Sequence, residues 1–191
     1  MAKLSKSKFM FREISKFIFF NIARFKIVGD FPDKINKYLV IAAPHTSWWD
    51  FPMGLVLRSI LQKDIRFIGK ESLFKGPFGF VFYALGGYPV NRSEKTNMVE
   101  SMINIFNIHD KFAVAMSPEG TRKRVEKFRT GFYYIAKGAN VPIVMVQFNF
   151  AEKKVVIREP FHPTDDMEKD MQFIWNYFKG IKGMVPENSV L

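Results

Sequence analysis

Short apolar runs of strand length, each closed by a proline, a glycine or a charged residue, alternate along this chain with stretches of helical spacing. Residues 38–43 end at Pro44, 65–68 at Gly69, and 112–116 at Ser117-Pro118. A further run at 141–150 is followed by a short strand at 154–158 that is expected to pair with it. Between them, helical spacing predicts helices from about 50 to 61, 73 to 85, 98 to 109, 132 to 139 and, near the C-terminus, 167 to 178. Asp165, with Glu168 three residues on, resembles a capping box for the last of these. Strand and helix in alternation predict an α/β domain with a mixed, largely parallel sheet flanked by helices.

The same punctuation limits what the chain can do in lipid. Its longest stretch without a charged side chain, 76–91, has 16 residues and is broken by Gly and Pro. A spanning helix needs roughly 20 apolar residues. With 48% hydrophobic and 25% charged residues over 191 positions, the composition is that of a folded domain. Cysteine is absent, which excludes disulfides, thiolate metal sites and an acyl-cysteine intermediate.

The charge is uneven. Of the net +11, residues 1–26 carry +6, with Lys3, Lys6, Lys8, Arg12, Lys16, Arg24 and Lys26 against Glu13. One anionic contact surface fits this better than a nucleic-acid coat, and no nucleic-acid signature is found, so no nucleic-acid partner is expected. The basic start precedes an apolar core at 17–23, but Asn21 interrupts it and no small-residue cleavage site follows. On a helix over about 8–26, Met10, Phe11, Ile14, Phe17, Ile18, Ile22 and Phe25 share one face, opposite Lys8, Arg12, Ser15, Lys16 and Lys26. Phe9, Phe19 and Phe20 fall among the polar positions. Such a helix either docks on the domain or lies in a lipid interface, and the surplus aromatics favour the interface. The expected organisation is therefore an N-terminal membrane-surface helix over residues 1–30, peripheral on the cytoplasmic face, and a domain over 31–191.

Three blocks at the ends of predicted strands carry possible chemistry, where open α/β sheets place their ligands. In Pro44-His45-Thr46-Ser47-Trp48-Trp49-Asp50, a turn bringing the carboxylate onto the imidazole would fix its tautomer and leave the other nitrogen as a base. In Ser117-Pro118-Glu119-Gly120-Thr121-Arg122, the glycine admits an anion to the backbone, Thr adds a hydroxyl and Arg offers paired donors to phosphate. Glu119 would orient Arg122 or a neighbouring base. Gly86-Gly87 through Arg92, with Lys70 upstream, suggests a tight loop presenting one cation.

In order and spacing, these blocks resemble the glycerolipid acyltransferase superfamily, which includes the lysophosphatidic acid and glycerol-3-phosphate acyltransferases. His45 and Asp50 match its His-x4-Asp motif, Gly87 to Arg92 its second block, Glu119 to Arg122 its Glu-Gly-Thr-Arg block, and Val141-Pro142-Ile143 its fourth. The resemblance covers residues 38–150. It implies transfer of a fatty acyl group from acyl-CoA or acyl-carrier protein to the hydroxyl of a glycerol-phosphate-type or lysolipid acceptor, without metal or other cofactor. His45 would be the general base, Asp50 its orienting partner, and Lys70, Arg92, Glu119, Gly120, Thr121 and Arg122 the substrate-binding set. Membrane lipids and an anionic membrane surface are the implied partners. The competing reading is an anionic-lipid binding protein without catalysis.

Overall fold

The structure is a computed structural model that describes residues 6–90 and 95–190. Among these, the sheet has seven strands: β1 (Lys26–Val28), β2 (Lys37–Ala43), β3 (Ile65–Lys70), β4 (Gly87–Val90), β5 (Phe112–Met116), β6 (Ile143–Asn149) and β7 (Lys154–Ile157). Their order is β1-β7-β6-β2-β5-β3-β4. Only β6 and β7 run antiparallel, as the tight connection between them requires. The central strands β6, β2 and β5 are covered on both faces, which is why they read as continuous apolar runs.

Seven helices are described: α1 (Lys6–Lys16), α2 (Asp50–Ile60), α3 (Glu71–Lys75), α4 (Gly79–Ala84), α5 (Lys95–Ile108), α6 (Gly131–Gly138) and α7 (Met167–Phe178). Two apolar cores result. Leu39, Ile41 and Met145 point to the side where α5, α6 and α7 pack, burying Met102, Ile135 and Ile174. Val40, Val144 and Val155 point to the other, where α2 adds Leu57 and Ile60, and the N-terminal segment adds Phe19 and Phe25.

Two differences from the sequence reading have clear causes. The helix expected over 73–85 is two short helices, because Gly76-Pro77 turns the chain between them. The cap of α7 is Asp166, whose carboxylate accepts from Lys169 N at 3.0 Å; Asp165 instead pairs with Lys137.

The N-terminal segment differs more. After α1 the chain continues as a wider π-helical turn, Phe17–Ile22, and then enters the sheet as β1. The stretch 1–30 thus contains a strand of the main sheet, and Phe25 belongs to the core rather than to a helix face. The helix packs on α2 through the side read as polar: Arg12 Nε donates to the Ile60 carbonyl, and Ser15 and Phe19 are buried. Met10, Phe11, Ile14, Phe17, Ile18 and Ile22 face outward. None of the described helices is long and apolar enough to cross a membrane.

Candidate active site

The crossover from β2 to β3 leaves on one side of β2, and the crossover from β5 to β6 returns on the other. A crevice opens where the chain direction divides, beyond the C-terminal ends of β2 and β5. The His45 loop follows β2 and the Glu119 loop follows β5, and those two strands are hydrogen-bonded neighbours.

Asp50 opens α2, and its Oδ2 collects three donors. Thr46 N donates at 2.8 Å, Ser47 N at 2.9 Å, and His45 Nδ1 lies 3.0 Å away. An acceptor already serving two backbone N–H groups assigns the proton of that third contact to Nδ1. In the neutral imidazole the lone pair is therefore on Nε2. The Asp50 side chain is 4% exposed and that of His45 is 28% exposed, so the carboxylate is sealed in and the imidazole lines the cavity.

Glu119 is placed unlike the other members of its block. It is 1% exposed, and its Oε2 accepts from the backbone N–H of His45 at 2.7 Å and from Ser117 Oγ at 3.1 Å. It thus ties the β5 loop to the β2 loop, and it holds His45 through the backbone rather than lining the cavity. Burial pushes its carboxyl up to about 7, against the opposing pull of the His45 and Ser117 hydrogen bonds.

That shift has a measurable consequence. Between the ordinary value of 4.5 and about 7, the folded chain holds a proton that the unfolded chain has lost. Stability contributed at this residue therefore falls as pH rises through that window, and changes no further above it. Glu119→Gln should remove this slope. Its stability relative to the parent should rise by up to about 3 kcal/mol between pH 5 and pH 8, at ~1.4 kcal/mol per unit. Denaturant unfolding at the two pH values measures it.

Gly120, Thr121 and Arg122 line the same cavity as His45, with Lys127 and Arg129 close behind them in sequence. Gly120 has φ +65°, a left-handed conformation, and a Cβ there would lie 2.7 Å from Arg129 Nε. The left-handed conformation favours glycine here, while the Arg129 side chain could move aside for a Cβ. Lys70 is exposed at the end of β3, outside the cavity lining. Arg92 lies outside the described residues. Val141-Pro142-Ile143 is at the opposite end of the sheet from the crevice, where the Pro142 carbonyl accepts from Leu39 N and seats β6 against β2.

Two contributors have no motif of their own. Ser117 holds Glu119. Thr46 uses its hydroxyl to accept from Val185 N at 3.1 Å, which fastens the C-terminal segment to the His45 loop.

The cavity has a volume of about 1370 Å³ and two characters. Part of its lining is polar, with His45, Thr121 and Arg122. Another part, an apolar arm on the α2 side of the sheet, is made by Val40, Ala42, Val146, Phe148 and Leu57.

Residues 24–149 match the family described as Acyltransferase. The chain belongs to the acyltransferase family. Among curated relatives, it is 30% identical over 115 residues to the human 1-acyl-sn-glycerol-3-phosphate acyltransferase beta, an overlap of 58% of this chain and 41% of that protein. It is 30% identical over 103 residues to the Escherichia coli 1-acyl-sn-glycerol-3-phosphate acyltransferase, covering 51% of this chain and 42% of the relative. The match therefore spans about two fifths of the length of these acyltransferases. The fold is similar to that of the 1-acyl-sn-glycerophosphate acyltransferase PlsC from Thermotoga maritima, with a TM-score of 0.60 over 89% of this chain and 76% of that one, at 21% identity.

Proposed function

We propose that this acyltransferase moves a fatty acyl group from a thioester, acyl-CoA or acyl-carrier protein, to the hydroxyl of a 1-acylglycerol-3-phosphate-type acceptor. The observation that carries the reading is His45, held at Nδ1 by a buried carboxylate and lining a cavity whose wall also carries Arg122 and an apolar arm. His45 Nε2 takes the acceptor's hydroxyl proton as that oxygen attacks the thioester carbonyl. Asp50 stabilises the imidazolium so formed. The tetrahedral intermediate then collapses, the C–S bond breaks, and the imidazolium returns its proton to the departing thiolate. The substrate supplies the nucleophile, so the chain needs no serine or cysteine nucleophile of its own, and the reaction calls for no metal or cofactor.

Arg122 and Thr121, beside the left-handed turn at Gly120, hold the acceptor's phosphate, and the apolar arm takes an acyl chain. Lys70, exposed at the end of β3, and Arg92, which lies outside the described residues, are proposed as further members of the anion-binding set. Replacing Arg122 with Ala should raise KM for a phosphate-bearing acceptor about tenfold or more, through loss of a charge-assisted pair, with a much smaller change in kcat. Steady-state kinetics against an acceptor with a neutral headgroup, on which the substitution should have little effect, checks the assignment.

The outward apolar face of α1 and the basic first 26 residues support a peripheral position on an anionic membrane; the side we assign it is the cytoplasmic face. Acceptor and product would both reside in that membrane.

A further inference from the structure

A second apolar surface is built into the fold, on an element whose sequence reads as an ordinary crossover. Phe78 and Phe80, at the corner between α3 and α4, are 71% and 70% exposed. Leu73, Val81 and Tyr83 on the same two helices are also exposed. The corner does not need these rings in order to fold. Its interior is filled by Phe74, which is buried and stacks edge-on against Tyr83 with ring centroids 4.8 Å apart. Gly79 lies so close to the backbone of Phe74 that a Cβ could not be accommodated, which locks the turn between the two exposed phenylalanines.

Register places this surface. Phe67 on β3 stacks edge-on against Phe51 of α2 at 4.8 Å, so that side of β3 faces α2. Gly69, two residues on and hence on the same side, abuts Phe74. The α3–α4 pair therefore shares the α1–α2 side of the sheet. It leaves the C-terminal end of β3, the end at which His45 and Glu119 lie. The π-helical turn after α1 reaches that end too, because Lys26 registers with Lys154, and Lys154 with Asn149 at the end of β6. Between the two, Trp48 and Trp49 stack at 4.2 Å and are exposed beside the catalytic loop.

Three groups of outward aromatic and aliphatic residues thus occupy one side of the domain at its active-site end. Exposed Arg24, Lys26, Lys70 and Lys75 stand among them. A broad apolar surface carrying tryptophan and lysine matches the interface of an anionic bilayer. We propose that the α3–α4 corner inserts Phe78 and Phe80 into the bilayer as a second contact, which with α1 seats the cavity mouth on the lipid surface. This extends the membrane reading of α1 and rests on it.

The test is sedimentation with phosphatidylcholine–phosphatidylglycerol vesicles. F78S/F80S should lower partitioning about tenfold or more relative to the wild type, with an unchanged circular dichroism spectrum. Its rate with a short-chain acceptor dissolved as monomers should also be unchanged. F11S/I14S, on the outward face of α1, should lower binding separately. Undiminished binding by F78S/F80S, with loss only in F11S/I14S, would overturn this inference and leave the membrane reading of α1 standing. Absence of binding by the wild type would overturn both. A wild-type dimer that F78S/F80S converts to monomer would show that a second copy covers the surface, and would overturn it as well. Because the chain has no cysteine, Phe78→Cys can carry a single polarity-sensitive fluorophore. Its emission should shift to the blue on vesicle addition, and an unshifted spectrum would contradict insertion.

Discussion

Replacing His45 with Ala should lower kcat by three to four orders of magnitude and leave the protein folded. The imidazole is partly exposed at the cavity wall, so its loss opens no core. Its backbone N–H, which bonds Glu119, is kept by any residue other than proline. What disappears is the only imidazole in that loop and, with it, the group proposed to take the acceptor's proton. General-base contributions of about 10² to 10⁴ set the scale. Substrate binding should change little, because the cations and the apolar arm that line the cavity are untouched. A kcat that falls while KM holds would mark the residue as chemical rather than structural. Single-turnover rates and thermal melts on the same preparation check both halves.

Asp50 should divide into two effects, according to the replacement. Asn keeps an oxygen where Thr46 N, Ser47 N and His45 Nδ1 converge. The loop should keep its shape, but the charge proposed to stabilise the imidazolium is gone, and kcat should fall about 10² to 10³-fold with almost no change in melting temperature. Ala removes the acceptor altogether. Two backbone N–H groups then lose their partner at a cost of about 2 kcal/mol, which for a chain of this size lowers the melting temperature by roughly 4–8 °C. Activity should be no better than in the Asn variant. Comparable activity in the Asp50→Asn and wild-type enzymes would leave the carboxylate with a structural role alone.

The parts of the site that can be read from the sequence are those made by contiguous residues. His45 and Asp50 fall within one turn, and the Glu-Gly-Thr-Arg block within another, because each follows a parallel strand at the end where loops carry function. The link between the two loops is less accessible. Glu119 carries the same letters whether it faces a ligand or a neighbouring backbone, and its bond to His45 N joins residues 74 apart. Thr46 and Val185 are 139 apart, and no local pattern announces their bond.

The fold divides along a similar line. Strands of five to seven mostly apolar residues, such as β2, β5 and β6, are recognisable from composition and punctuation. With three residues at the sheet edge, β1 merges into the helical pattern that precedes it. For the N-terminal helix, periodicity separates the two faces but does not say which of them docks. The domain binds the face of Arg12, Ser15 and Phe19 because Phe19 and Phe25 fill the core beside α2, which leaves the richer apolar stripe outside. A sequence pattern reports which residues share a side; the partner decides which side is inside.

Whether His45 catalyses acyl transfer from a thioester to a lipid hydroxyl is decided by mass spectrometry of the products. The purified protein would be given palmitoyl-CoA or palmitoyl-acyl-carrier protein and a panel of lysolipid acceptors. The expected result is a new acylated lipid with at least one donor, formed from a phosphate-bearing acceptor by the wild type and not by His45→Ala. An acceptor bound and returned unacylated with both donors, by both proteins, would contradict the catalytic role and make the chain a lipid-binding protein.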